Sequence, residues 1–114
     1  MIRIAVVDDE NSICSFVEKC LFNLSKKYGI NIEVDVFNSG EDLMNTINEN
    51  FFDVIFLDIK MNDLSGIDVS KLIRSTMGNE ATQIVYISGN TEYAIEAYDY
   101  DPLHFLPKPL SEEK

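Results

Sequence analysis

Short apolar runs alternate with longer stretches of helical periodicity along this chain. Nearly continuous apolar runs occupy residues 2–7, 53–57, 83–87 and 103–106. Such runs predict strands that are covered on both faces, as in a parallel sheet. Residues 32–37 alternate between apolar and polar side chains instead, which predicts a half-buried strand near a sheet edge.

The first predicted helix, over residues 11–28, shows the clearest helical period. Its apolar side chains follow one stripe, and Gly29 lies where a C-terminal cap is expected. Cys14 and Cys20 are expected to be buried free thiols on this apolar face, because no second cysteine or histidine pair completes a metal site. The stripe consists of Ile13, Phe16, Val17, Cys20, Leu21 and Leu24.

Three further helices are predicted between the remaining strands. One starts at a variant capping box from Ser39 to Asp42, the next covers about residues 67–76, and the fourth starts at Thr91. Residues 110–114 can only begin a fifth helix, so that helix is expected to be truncated.

This alternation predicts an α/β domain with a parallel sheet and helices on both faces. Right-handed crossovers then bring every strand-to-helix loop to the same edge of the sheet. The chain has 114 residues, of which 46% are hydrophobic, enough for the core of a single domain over residues 1–114.

The charge is strongly acidic, with 20 acidic and 9 basic residues and a net charge of −11. This balance disfavours direct nucleic-acid binding and suits metal cations or basic protein surfaces, although solubility alone also accounts for it. No signal peptide or membrane-spanning apolar run occurs in the sequence, so no membrane role and a cytoplasmic location are expected.

Polar residues follow the predicted strands at the loop edge of the sheet. Asp8 and Asp9 come after the first strand, Asp58 after the third, Ser88 after the fourth and Lys108 after the last. Gathered carboxylates repel one another, so they take up a proton or bind a cation, and oxygen ligands with water suit Mg²⁺. The alternative for the first pair is that it merely caps the first helix.

A carboxylate beside Mg²⁺ can attack phosphorus and form an acyl phosphate, which makes Asp58 a candidate nucleophile. The metal and Lys108 would neutralise the transferring group, and Ser88 could donate a hydrogen bond to it. Taken singly, Ser88 could be a turn residue and Lys108 a solvated surface lysine.

These residues, with Gly66 eight positions after Asp58 and Pro109 after Lys108, resemble the receiver domain of two-component response regulators over essentially the whole chain. Segments 93–98 and 102–109 resemble, more narrowly, receivers of the LytR/AlgR type. The resemblance implies a flavodoxin-like, doubly wound, five-stranded parallel sheet with strand order 2-1-3-4-5.

The same resemblance implies a role for each site residue. Asp58 would be the phosphoacceptor for a sensor histidine kinase. Asp9 and Asp58 would ligate Mg²⁺ directly, Asp8 would do so through water, and the backbone carbonyl of Lys60 would complete the ligands. The domain would act as a switch and not as a multi-turnover enzyme.

On phosphorylation, Ser88 and Lys108 would contact the phosphoryl group, and Phe105 would be the switch aromatic. The surface of the fourth helix and last strand would change and control an output domain. That output domain, which binds DNA in LytR/AlgR-type regulators, is expected to be absent from this chain. Association of the receiver into a homodimer is also expected.

The chain departs from the family pattern at a few positions. Asn62 replaces the usual proline four residues after the acceptor, Phe105 lacks the hydroxyl of the commoner tyrosine, and Pro107 precedes Lys108. We expect the first change to loosen its loop and the last to stiffen or perturb the final one.

Three other functions fit the sequence less well. An aspartate-nucleophile phosphatase of the haloacid dehalogenase kind needs a second Asp where this chain has Lys60. A flavodoxin-like nucleotide binder needs a glycine-rich or hydroxyl-rich phosphate loop where this chain has Asp8-Asp9-Glu10. A degenerate receiver, acting only through protein contacts, would not need all of the predicted site residues.

Overall fold

The computed structural model describes residues 1–47, 51–59, 65–76, 81–88 and 104–107. Within these residues, strands alternate with helices in the predicted order. The elements are β1 (Ile2–Val7), α1 (Asn11–Tyr28), β2 (Ile32–Phe37), α2 (Gly40–Ile47), β3 (Val54–Asp58), α3 (Gly66–Lys71), a π-helical segment (Leu72–Thr76), β4 (Gln83–Ser88) and β5 (His104–Pro107).

The five strands form one parallel sheet in the order β2-β1-β3-β4-β5, which confirms the predicted strand order. Strand β3 lies at the centre, where Val7 of β1 pairs with Leu57 and Ile87 of β4 pairs with Asp58. Asp58 is therefore the last residue of β3, one position later than the predicted end of that strand. The carboxyl end of a central parallel strand is where open α/β sheets place their sites.

Each face of the sheet buries its own apolar cluster, as the predicted two-sided packing requires. The cluster on the α2 and α3 face contains Leu57, Ile59, Ile67 and Tyr86, and Phe37 packs against it. The opposite cluster, under α1, consists of the buried residues Ile4, Val6, Cys14, Val17 and Ile87, with partly buried neighbours around them.

Helix α1 has the predicted bounds and ends at Gly29, whose φ of 64° is left-handed. The predicted apolar stripe of this helix is not buried throughout, because Phe16 and Leu24 are 37% and 49% exposed. A helix of this length spans about 27 Å, whereas six-residue strands span about 20 Å. The last turns of α1 therefore extend past the sheet, where Leu21 and Leu24 line a shallow groove with Ile2.

Helix α3 begins with a full capping box that the sequence analysis did not identify. The Ser65 hydroxyl accepts a hydrogen bond from the Asp68 N–H at 3.1 Å, and the Asp68 carboxylate accepts one from the Ser65 N–H at 3.3 Å. The box at α2 that was predicted is present in its Ser39 half, where the Asp42 N–H donates to the Ser39 hydroxyl at 3.1 Å. Both helices thus begin at a side-chain cap.

Strand β5 is shifted by one residue from the predicted range and ends at Pro107. A proline is tolerated there because β5 is an edge strand, where one missing backbone N–H need not interrupt the hydrogen bonds of the sheet. The predicted fourth helix, the truncated fifth helix and the exposed patch expected near them lie outside the described residues.

Candidate phosphoacceptor site

Two carboxylates lie at neighbouring strand ends on the loop edge of the sheet. Asp58 ends β3, and Asp8 directly follows β1, the strand next to it. Both side chains are buried, with Asp8 0% and Asp58 3% exposed. Burial of two acidic residues at one sheet edge is costly unless hydrogen bonds or a cation compensate their charge.

Main-chain hydrogen bonds and the side-chain amide of Asn38, which directly follows β2, hold Asp8 in place. Its N–H donates to the Phe37 carbonyl at 3.1 Å, and its Oδ1 accepts from the Glu10 N–H at 2.9 Å. Its carbonyl accepts from Asn38 Nδ2 at 3.2 Å, and the same Nδ2 donates to Asn11 Oδ1 at 2.8 Å. These bonds tie the acidic loop to the end of β2 and the start of α1.

The alternative that Asp8 or Asp9 merely caps α1 does not fit this geometry. The N-cap residue is Glu10, and its side chain makes no capping hydrogen bond. The Asp8 carboxylate instead receives the Glu10 N–H, two residues on, in a turn that precedes the helix.

Asp8, Asp9 and Glu10 form an acidic cluster in which one oxygen from each carboxylate lies within 4.8 Å of the others. Asp8 is buried, whereas Asp9 and Glu10 are exposed. Oxygen ligands that are open to water on one side fit the chemistry of Mg²⁺, which keeps several waters. Glu10 was missed as a candidate ligand, although the run of three acidic residues was a visible signal.

The thiol of Cys14 lies beneath this loop and donates a hydrogen bond to the Asp8 carbonyl at 3.3 Å. Burial raises the pKa of the Cys14 thiol, and the negative charge of Asp8 raises that pKa further, with smaller effects of Glu18 and Asp58. Both Cys14 and Cys20 are free thiols as predicted, but Cys20 is only partly buried. The raised pKa keeps Cys14 protonated and unreactive next to the acidic site.

Glycine is required at position 66, where α3 meets the end of β3. A Cβ at Gly66 would overlap the Asp58 carbonyl oxygen and lie 2.8 Å from the Ile59 Cα. The Gly66 N–H donates to the Ile59 carbonyl at 2.7 Å, and the Ile59 N–H donates to the Ile87 carbonyl at 3.3 Å. The two ends of the loop after Asp58 are therefore fastened to each other and to β4.

The structure describes only some of the remaining predicted site residues. Lys60, Asn62 and Lys108 lie outside the described residues. Ser88 is placed by its backbone at the end of β4, where it pairs with Pro107, and Phe105 lies in β5. The predicted roles of these side chains remain predictions.

Residues 4–114 match the family model of the response regulator receiver domain. The chain belongs to this family. It is therefore a receiver domain of two-component signalling, which confirms the resemblance found in the sequence. No helix among the described residues is long and apolar enough to cross a membrane.

Relatives of this receiver include the sensory transduction protein LytT of Bacillus anthracis, which is 30% identical over all of this chain and 44% of the relative. The response regulator protein TodT of Pseudomonas putida is 27% identical over 97% of this chain and 46% of the relative. The relatives named LytT agree with the narrower resemblance to LytR/AlgR-type receivers. This receiver spans less than half the length of both relatives.

Solved receiver structures share the fold. The chemotaxis protein CheY4 of Vibrio cholerae has a TM-score of 0.83 and 25% identity, covering 99% of this chain and 91% of that one. The BeF3-activated receiver domain of DrrB from Thermotoga maritima has a TM-score of 0.80 and 28% identity, covering 99% of this chain and 89% of that one.

Proposed function

We propose that this receiver accepts a phosphoryl group on Asp58 from the phosphohistidine of a sensor histidine kinase. The observation that carries the proposal is the burial of Asp58 and Asp8 at adjacent strand ends, beside an acidic cluster that opens to solvent. A buried carboxylate at a central strand end is costly for stability alone, and a phosphoacceptor function explains its presence.

The transfer replaces one bond to phosphorus by another. An Asp58 carboxylate oxygen attacks the phosphorus, and the bond between phosphorus and the imidazole nitrogen breaks, with its electron pair remaining on the nitrogen. The products are an acyl phosphate on Asp58 and an imidazole on the kinase, which is neutral because a ring nitrogen takes up one proton from water as the phosphoryl group leaves. Little covalent chemistry is required of the receiver, so its contribution is to position and neutralise the reacting groups.

We propose Asp8, Asp9 and Asp58, with the Lys60 carbonyl, as the residues that hold Mg²⁺. When bound there, Mg²⁺ offsets the negative charge of the transferring group. The cluster of Asp8, Asp9 and Glu10 supports this assignment through its donor chemistry, since carboxylate oxygens are the ligands that Mg²⁺ accepts. The DrrB receiver domain, to which this chain is similar, was solved in a BeF3-activated state.

The acyl phosphate carries about −2 charges in place of the single negative charge of the Asp58 carboxylate, and this added charge next to Asp8 is the proposed signal. Lys108 would pair with the phosphoryl group and Ser88 would hydrogen bond to it, which frees space for Phe105 to move. The surface of the fourth helix and β5 would then change shape and control an output domain. This is a local electrostatic change that biases a two-state element.

The greater length of the LytT and TodT relatives supports an output domain outside the region that this chain covers. We propose that DNA is bound only through such a domain, that a sensor histidine kinase is the upstream partner, and that phosphorylation favours a homodimer. The free thiols of Cys14 and Cys20 suit a reducing compartment, so we place the reaction in the cytoplasm.

The mass of the intact protein after incubation with acetyl phosphate and Mg²⁺ tests the proposal. The wild type should gain about 80 Da, the mass of one phosphoryl group on a carboxylate, and chelation of the metal should prevent the gain. Asp58→Asn should gain nothing. Asp53→Asn, at the opposite end of the same strand region and hydrogen bonded to the Arg3 N–H at 2.9 Å, is the matched control and should gain the same mass as the wild type.

A metal-dependent gain that persists in Asp58→Asn would refute the acceptor assignment. No gain in a folded wild type that binds Mg²⁺ would favour a receiver that acts only through protein contacts.

A further inference from the structure

A chain of two buried hydroxyl groups links β4 to Gly66, the first residue of α3. The Tyr86 hydroxyl, on β4, donates a hydrogen bond to the Ser70 hydroxyl on α3. The Ser70 hydroxyl in turn donates to the Gly66 carbonyl at 2.9 Å. Tyr86 and Ser70 are both 0% exposed, so this relay runs entirely inside the apolar cluster on the α2 and α3 face.

The donors and acceptors of the relay are matched in number. Tyr86 uses its one O–H as a donor, and Ser70 accepts that bond while donating its own O–H to Gly66. Buried hydroxyls cost free energy unless they are hydrogen bonded, and an apolar pair of the same shape would avoid the cost. A satisfied polar pair in such a core fixes one arrangement of the elements that it joins.

The relay ends at Gly66, which contacts the end of β3 at Asp58. Gly66 lies so close to Asp58 that its missing Cβ would overlap the Asp58 carbonyl, and its N–H is bonded to the Ile59 carbonyl at 2.7 Å. A shift of Gly66 would therefore move the main chain on both sides of the Asp58 peptide. The relay therefore fixes the distance between the first turn of α3 and the main chain of Asp58.

The start of the relay lies on the strand that also carries the predicted switch residue. Tyr86 pairs with Leu57, the residue before Asp58, and it precedes Ser88 by two positions in β4. A displacement of β4 at the switch would thus reach Gly66 through Tyr86 and Ser70 as well as through the sheet.

We infer that Tyr86 is a positioning residue for phosphoryl transfer to Asp58, acting through Ser70 on the Gly66 carbonyl. The inference rests on the proposed function, since it concerns the rate of that transfer. Transfer to a carboxylate depends on the alignment of the attacking oxygen with phosphorus, and misplacement by about 1 Å can cost about a hundredfold in rate. Loss of one relay bond leaves the packing in place and should have a smaller effect.

Tyr86→Phe tests the inference because it removes only the hydroxyl. At saturating Mg²⁺, the maximal rate of phosphorylation by acetyl phosphate should fall about three- to tenfold, the size expected for one buried hydrogen bond. The acetyl phosphate concentration that gives half the maximal rate should stay unchanged. The NMR signal of the Gly66 amide should shift, and its hydrogen exchange should become faster.

Thr82→Val is the matched control. The Thr82 hydroxyl, directly before β4, is also buried and donates to the Phe52 carbonyl at 2.8 Å, at the opposite edge of the sheet from Asp58. It should lower stability in the same way and leave the maximal rate and the Gly66 amide signal unchanged.

Ser70→Ala removes the middle of the relay and provides a second test that does not depend on the folding of Tyr86→Phe. It should show the same loss of rate, and the double variant should be no slower than the slower single variant, since both changes break one relay. Independent, multiplying losses would overturn the relay.

Two further results would overturn the inference and are distinguishable. Equal rates in Tyr86→Phe and Thr82→Val, with an unmoved Gly66 amide, would exclude a positioning role while the proposed function stands. A wild type that is not labelled on Asp58 would refute the proposed function and this inference with it.

Discussion

Gly66 and Asp58 are in contact through their main chains, with no room between them for a methyl group. A Cβ at Gly66 would overlap the Asp58 carbonyl oxygen and lie 2.9 Å from its carbonyl carbon. These are backbone atoms of the central strand, which cannot rotate away as a side chain would. The packing of α3 against the end of β3 therefore depends on this glycine.

Gly66→Ala should push α3 away from the end of β3. We expect a loss of about 1–3 kcal/mol in the free energy of unfolding, as for other overpacked sites, measured by urea denaturation. The rate of phosphorylation should fall as well, because the same shift moves the main chain of Asp58.

Gly29→Ala is the matched control for Gly66→Ala. Its φ of +64° makes alanine unfavourable, but a Cβ there meets nothing within 4 Å. It should cost about 1–2 kcal/mol through the backbone alone and leave phosphorylation unchanged. A Gly66→Ala variant as active as Gly29→Ala would show that α3 can move without disturbing Asp58.

Asn38 should control the affinity of the acidic loop for Mg²⁺. Its Nδ2 donates to the Asp8 carbonyl at 3.2 Å and to Asn11 Oδ1 at 2.8 Å, so it holds the loop from the end of β2. Asn38→Ala should weaken Mg²⁺ binding about three- to tenfold, the value of one hydrogen bond. Isothermal titration with Mg²⁺ measures the change.

Asn38→Asp also removes the amide donor, but it adds a negative charge that itself attracts Mg²⁺ at low salt. Asn38→Ala is therefore the primary test. The control is Asn31→Ala, at the other end of β2, where the Asn31 carbonyl accepts the Ile2 N–H and a change of side chain leaves that bond in place. Equal affinities in Asn38→Ala and Asn31→Ala would contradict the holding role of Asn38.

Local patterns predicted the elements that have one clear period. The bounds of α1 and β2 agree with the prediction because an apolar stripe with a glycine cap and strict alternation each determine a segment without its surroundings. The placement of Asp8 and Asp58 at one edge followed from the parallel order, since every strand-to-helix loop lies on that side.

Features that depend on distant residues could not be predicted in this way. The hydrogen bond from Tyr86 to Ser70 joins residues of different elements, and a tyrosine in an apolar run predicts only burial. The exposure of Leu24 depends on where the sheet ends beneath α1. The capping box at Ser65 and Asp68 was different, because its spacing was visible in the sequence and was overlooked.

The two exposed carboxylates of the acidic cluster should differ in their effect on Mg²⁺ binding. The family resemblance makes Asp9 a direct ligand, whereas the cluster geometry also brings in Glu10. We expect Asp9→Asn to weaken binding at least about tenfold, the effect of losing one charged ligand, and Glu10→Gln to weaken it less. If Glu10→Gln had the larger effect in the same titration, Glu10 and not Asp9 would be the ligand.

The thiol of Cys14 should make the folded state less stable at alkaline pH. Burial and the charge of Asp8 raise the pKa of Cys14 above its ordinary value of 9.0, so the unfolded chain releases this proton at a lower pH than the folded protein does. Above about pH 9 the folded state binds more protons, and its free energy of unfolding falls as the pH rises. Urea denaturation between pH 8 and 10, with a chelator present, measures this alkaline slope.

Cys14→Ser should flatten the alkaline slope, because a serine hydroxyl does not ionise in this range and can still donate to the Asp8 carbonyl, as the thiol does at 3.3 Å. Cys20→Ser, on the same helix and only partly buried, should keep the slope of the wild type. If the slopes of Cys14→Ser and the wild type were equal, other groups would cause the alkaline loss. A flatter slope in Cys14→Ser alone would place a protonated thiol directly beneath the acidic loop, as the structure describes it.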